Sequence, residues 1–274
     1  MLIFFRNIRQ KLLQDLPAGK AGNKVTRYLA YAIGEIFLVV IGILIALQVN
    51  NWNEQRKSRE AEINFYAALL DDLDKDKVKI DQLHEFYSHR VEVLTWLLAR
   101  VRNPALEING QEFGQNVEPL YYNETAIIFD AAFDASKSSG AFNNFKNKTL
   151  LKQMIQYYSE FQMIEGVMTS TLRLIETAFE PLMAPLPKNY LSGISSDLVI
   201  AEGGNKFFYE HLGQVKDERN IFPDPIIREF MQNPEFESYL VGDLGRAFNS
   251  IARLNKRQQQ IDSLQAEINL FLQD

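Results

Sequence analysis

Residues 28–49 read YLAYAIGEIFLVVIGILIALQV, twenty-two positions of which only Glu35 and Gln48 are strongly polar. A helix of about 20 apolar residues crosses about 30 Å of hydrocarbon. No other feature constrains the chain as much. A buried core helix is the alternative, but this run is apolar on all sides, and a soluble helix of that kind needs a large domain around it. Trp52 after the run, and Tyr28 and Tyr31 at its start, suit the aromatic preference for membrane interfaces. The expectation is a transmembrane helix over 28–49, between an N-terminal segment, 1–27, and a body, 50–274.

Orientation follows from charge. Residues 1–27 carry six basic residues (Arg6, Arg9, Lys11, Lys20, Lys24, Arg27) and one acid, Asp15, whereas the first residues beyond the run carry Arg56, Lys57 and Arg59. This asymmetry favours a cytoplasmic N-terminus and a body outside the cytoplasm. A cleaved signal peptide competes, but Ala46-Leu47-Gln48 lacks the small final residue of a cleavage site, so an uncleaved anchor is favoured. Residues 1–16 place Phe4, Phe5, Ile8, Leu12 and Leu16 on one helical face, with Arg6, Arg9 and Lys11 largely off it. Such a helix lies among lipid headgroups, or packs on a partner's cytoplasmic surface. Residues 17–22 are a linker rich in Pro, Gly and Ala.

Within the run, Glu35 lies seven residues after Tyr28, about 10 Å along a helix and so inside the inner half of the membrane. Gly42 and Ala46 each fall about 20° from it around the helix. Small residues on the face of a carboxyl suit close helix contact, with the acid turned toward a neighbouring helix. A proton or ion path, or a cationic partner in another subunit, are the functional alternatives for Glu35. A carboxyl that only hydrogen-bonds across an oligomer is the simpler one.

Beyond the run, Ile63, Tyr66, Leu70, Leu73, Ile80, Leu83, Tyr87, Leu94, Leu98 and Val101 recur at mostly three- and four-residue steps. They predict a helix to about Arg102, stopped by Asn103-Pro104 and able to continue the apolar run as a stalk. Asn109-Gly110 suggests a short hairpin. Residues 123–139 look helical, with Gly140 as a C-terminal cap. A second long helix is expected from after Asn147 or Thr149 to Pro181, then a connector to about 205 and short helices over 207–212 and 226–231. A last helix should start at Pro234 and run nearly to Asp274. The fold class expected is all-α: one transmembrane helix continuing into an elongated extracytoplasmic helical bundle.

Composition excludes several functions. Without its first 27 residues the chain has 23 basic against 34 acidic residues, a net charge of −11, which repels a nucleic-acid backbone. The absence of cysteine removes disulfides, thiol nucleophiles and thiolate metal sites. His84 and His89 are five apart and do not share the face that a helical metal pair needs, while Glu85 and His89 suit a surface charge pair. Asp72-Leu73-Asp74-Lys75-Asp76 imitates a calcium loop but has Lys77 where Gly is required and Leu83 where Glu is required, and is expected to be a solvated helix face. Ser136-Lys137 lacks the spacing of a serine hydrolase and suits a helix end. Residues 202–206, EGGNK, lack the phosphate-loop frame and suit a turn. No catalytic residue, metal ligand or cofactor is expected, and the chain is expected not to be an enzyme.

The stretch YAIGEIFLVVIGILIALQVNNWNE, preceded by FFRNIRQKLL, resembles the signature of a family of uncharacterised single-pass membrane proteins widespread in Bacteroidota. The Gly34-Glu35-Ile36 element is present, the resemblance being specific over about the first 60 residues and weaker over 133–158. It implies an inner-membrane protein with a periplasmic helical domain, and no activity. The expected role is an anchored interaction or scaffold protein, self-associating through Glu35, Gly42, Ala46 and the long helical stripes, with Arg6, Arg9, Lys11, Tyr28 and Trp52 at the membrane interfaces. Its expected partners are the lipid bilayer, further copies of itself and other envelope proteins, with no nucleic acid. A periplasmic ligand sensor relaying through the span to a partner is the alternative, which a pocket with convergent polar groups would favour.

Overall fold

The computed structural model describes residues 24–191, 204–219 and 224–273, and among these every regular element is a helix. The chain divides into two compact units, Met1–Lys57 and Ser58–Asp274. The first helix, α1 (Lys24–Arg102), contributes to both and has no interruption. It ends where expected: Pro104 supplies no N–H, and Asn103 caps the turn by bonding Ala105 N–H through its side chain. In the first unit the apolar stretch of α1 is fully exposed, including Ile36, Phe37 and Val39.

The second unit is an all-helical bundle. After α1 come α2 (Gly110–Val117), α3 (Ala131–Ser138), α4 (Lys148–Ser159) and α5 (Phe161–Leu174). A π turn (Ile175–Phe179), α6 (Glu180–Met183), α7 (Gly204–Leu212), α8 (Asp224–Met231) and α9 (Pro234–Gln273) follow. The last helix packs on α4 and α5. It runs antiparallel to the bundle portion of α1, since ascending positions on one meet descending positions on the other: Arg59 with Phe271, Lys77 with Asp262, Arg90 with Asp243, Arg102 with Glu237. Tyr66, Leu69, Leu73, Leu83, Tyr87 and Leu94 of α1 close over Phe236, Leu240, Ala247, Leu254, Ile261 and Ile268 of α9, all buried. Ile63, assigned to that stripe by spacing, is exposed.

Four local expectations are corrected. Asn109-Gly110 does not turn a hairpin; Asn109 is the N-cap of α2. Its side chain accepts from Glu112 N–H at 2.9 Å, and the Glu112 carboxylate accepts from Asn109 N–H at 3.2 Å, a reciprocal capping box. Asn109→Ala should cost about 1 kcal/mol of stability, measured by urea unfolding, with Asn109→Ser near wild type. Residues 123–130 are not helical: Phe129 N–H goes to the Asp76 carboxylate on α1 and Ala126 N–H to Met168 Sδ, so only Ala131–Ser138 forms the helix, and Gly140 ends it with φ +74°, a left-handed conformation suited to glycine.

The second long helix starts after Asn147, whose side chain accepts from Leu150 N–H, but it is broken at Glu160 and widened over the π turn. Pro181 does not stop it. With no N–H and a ring that crowds the carbonyl four residues back, proline is accommodated by the wider turn just before it, in which Glu180 N–H reaches Ile175 C=O. The two short helices and the last long one appear as expected, though α7 begins at Gly204, so Gly204, Asn205 and Lys206 are helical and not a turn.

At the break after α4, Glu160 gathers Lys256 at 2.7 Å, Gln156 at 2.8 Å and Gln260 at 3.0 Å. These donors, Lys256 foremost, hold its carboxyl down at about 2. A depressed acid contributes stability that is present above the ordinary value of 4.5 and is lost as pH falls through about 2. The unfolding midpoint of the wild type should therefore exceed that of Glu160→Gln at pH 5, with the difference closing as pH falls toward 2.

Candidate functional site

Glu35, Gly42 and Ala46 lie on the exposed apolar stretch of α1, and a side chain added at Gly42 would meet nothing within 4 Å. One helix among the described residues is long and apolar enough to cross a membrane, and none of its apolar stretch is buried. Trp52, 66% exposed, has the Arg56 guanidinium 6.0 Å from its ring centre. Tyr28 lies within α1 but its side chain is outside the described ones; Arg6, Arg9 and Lys11 lie outside the described residues altogether.

The charged chemistry of the second unit is inside it. Arg90 is 1% exposed and Asp243 is 0% exposed. Arg90 donates through Nε to Asp243 Oδ1 at 3.0 Å and through Nη2 to Oδ2 at 2.6 Å, a two-pronged pairing, while Nη1 donates to Tyr122 C=O at 2.7 Å. Tyr239 OH donates to Asp243 at 2.8 Å. Burial pulls the guanidinium pKa down, but the adjacent Asp243 carboxylate more than offsets it and the net shift is up. This pair is fully satisfied.

A second cluster repeats the arrangement with the signs exchanged. Asp76, 2% exposed, accepts from Phe129 N–H at 2.9 Å and from the Tyr157 hydroxyl. Arg257, 3% exposed, lies with Nη2 3.6 Å from Asp76, covers the Tyr157 ring and donates through Nη1 to Tyr157 C=O. Burial raises the Asp76 pKa against the pull of Tyr157, Phe129 N–H and Arg257, and burial lowers that of Arg257. Both groups are pushed toward neutrality, so this looser pair is less well compensated than Arg90–Asp243. One turn away, Asp72 accepts from Ala132 N–H at 3.0 Å.

The Asp72–Asp76 run is thus not a solvated face. Two of its acids are buried acceptors: Asp76 holds the non-helical segment 123–130 against α1, beside Tyr87 OH, which donates to Glu124 C=O at 2.9 Å, and Asp72 holds the first turn of α3. Sequence spacing gave no sign of this, although Asp76 and Arg90 on α1, and Asp243 and Arg257 on α9, share the same interval of fourteen residues. That coincidence was the available signal. Among the described residues no group of three acidic or histidine side chains is placed to hold a metal ion. His89 meets Glu92 at 3.7 Å, not Glu85, and His84 bonds Ser88.

The widened turn also shapes the surface. A groove of about 830 Å³ runs between the π turn and α6 on one side and the α8–α9 junction on the other. Leu174, Ala178, Leu182 and Phe230 line it, with Tyr239 at its floor and Asn233, Glu235 and Ser238 as polar groups. Tyr239 connects this groove to the Arg90–Asp243 pair.

Residues 35–163, just under half of the chain, match a family of unknown function, DUF6090. The match opens at Glu35 within α1 and runs through α4 but not to α9, so Asp76 and Arg90 fall inside it and their ionic partners Arg257 and Asp243 outside. Searches of curated proteins and of solved structures found no match.

Proposed function

We propose that the chain is a membrane-anchored interaction or scaffold protein and not an enzyme. In this reading residues 28–49 cross a bacterial inner membrane, the N-terminus is cytoplasmic and the helical body is periplasmic. Copies associate through Glu35, Gly42 and Ala46, and the acidic body meets other envelope proteins. The observation that carries it is the stretch of α1 apolar enough to span and wholly unburied, since a soluble chain rarely leaves so large an apolar surface bare. The basic excess before the span supports the orientation.

Crosslinking in native membranes followed by mass spectrometry tests self-association and partners together. The expected result is a crosslinked species of two or more copies, weakened by Gly42→Leu with Ala46→Leu, which would force the helices apart. A strictly monomeric protein in membranes and in mild detergent would remove the scaffold role.

The groove favours a second reading, a periplasmic sensor whose ligand settles over Tyr239. Its signal would have to pass to a partner through the span. A bulky substitution at Ala178 separates the two: it should abolish a ligand response while leaving self-association intact.

A further inference from the structure

The second unit, Ser58–Asp274, carries 21 basic against 32 acidic residues. Of the lysines described in it, Lys75, Lys77, Lys79, Lys216 and Lys256 each pair with a carboxylate. Lys137, Lys146, Lys148 and Lys152 do not; all four are exposed, and no ion pair among the described residues includes them. Lys148 donates to the carbonyls of Phe142 and Asn143, and Lys137 lies 5.7 Å from the Phe133 ring centre. Lys188, Arg59, Arg173 and Arg253 also lack an ion pair among the described residues, but they are scattered, whereas the sixteen residues 137–152 hold four exposed lysines and no acid.

The fold places that stretch at one end of the unit. Ser58 Oγ donates to Asn144 C=O at 2.9 Å, and both Glu62 oxygens accept, from Lys146 N–H and Asn147 N–H at 3.0 Å. Phe65 lies against Phe142 and Phe145 at 5.4 and 5.3 Å, and Phe142 against Phe133 at 5.4 Å. The lysine stretch thus lies against the point where the chain enters the unit. Glu62 is buried and its oxygens are engaged, leaving Glu60 and Asp134 as the exposed acids nearby. Ser58 lies nine residues after Val49, so whatever path the chain takes it reaches no further than about 32 Å.

We infer that this basic end is a docking surface for anionic phospholipid headgroups of the membrane that holds the chain. The inference rests on the anchored reading above. Charge complementarity carries it: clustered lysines within reach of a lipid surface gain electrostatic attraction there, while the acidic remainder of the domain is repelled and turned away. Arg56, just before Ser58, adds to the same sign, while Lys57 lies 3.9 Å from the Glu54 carboxylate.

The full chain has no cysteine, so single labels are simple to introduce. Fluorophores at Asn144→Cys, at Gln111→Cys beyond the other end of α1, and at Leu47→Cys in the span are compared in nanodiscs carrying headgroup-attached nitroxide quenchers. In discs containing phosphatidylglycerol the Asn144 label should be quenched and the Gln111 label not. Quenching should fall in pure phosphatidylcholine, and in salt that shortens the screening length to about 3 Å. Replacing Lys137, Lys146 and Lys152 by Gln, which spares the Lys148 bonds to the backbone, should weaken docking about fivefold per lysine. An Asn144 label unquenched in anionic discs, or quenched equally in neutral ones, overturns the inference while a quenched Leu47 label upholds the anchor. An unquenched Leu47 label overturns the anchor and this surface with it.

Discussion

Replacing Arg90 by methionine should cost the bundle about 3–5 kcal/mol, because it leaves the Asp243 carboxylate buried with Tyr239 as its remaining side-chain donor. The double change Arg90→Met with Asp243→Leu should recover most of that loss. Removing one member of a buried pair strands a charge, whereas an apolar pair of similar volume avoids the desolvation that both ions suffer. Urea unfolding of the detergent-solubilised chain gives both values. If the single and double variants unfold together, packing and not charge is what Arg90 contributes.

Asp76→Ala should be similarly severe, again about 3–5 kcal/mol, since Phe129 N–H, the Tyr157 hydroxyl and Arg257 lose a common acceptor inside the protein. It should also speed amide exchange across 123–130, where the wild-type carboxylate replaces helical bonding. Asp76→Asn separates charge from hydrogen bonding. Burial raises the Asp76 pKa, so the stability linked to its proton is full below the ordinary carboxylate value and is lost as pH rises through the raised one. The deficit of Asp76→Asn against wild type should therefore narrow as pH rises from acid toward neutral. A deficit that widens over that range would show that the ionised form is the one the fold prefers.

Much of the helical framework is legible in the sequence because it depends on local rules. The stop after Arg102, the start at Asn147, the cap at Gly140 and the start at Pro234 each follow from one or two residues. Local rules fail where a distant group overrides them. Residues 123–130 have apolar spacing fit for a helix, yet Asp76, more than fifty residues earlier, takes the Phe129 donor. Asn109-Gly110 reads as a turn until Glu112 closes the box around it.

The candidate sites divide in the same way. The apolar stretch that carries Glu35, Gly42 and Ala46 stands out in composition, and it is exposed in the structure. The groove was not legible, because it depends on a π turn that brings Thr177 and Ala178 opposite Phe230, residues with no periodic relation. Nor were the two ionic clusters, whose members look like ordinary surface charges until antiparallel packing brings them together.

The shared interval of fourteen residues makes the pairing of α1 with α9 intolerant of slippage. Two heptads separate Asp76 from Arg90, and two separate Asp243 from Arg257, so antiparallel contact matches opposite charges twice and in one alignment. Sliding α9 by one heptad either way would set Arg90 against Phe236 or Ser250, Asp76 against Ser250 or Leu264, Asp243 against Leu97 or Leu83, and Arg257 against Leu83 or Leu69. Four ions would then sit in an apolar interior with no counter-charge. Piston motion between these two helices is closed to the bundle.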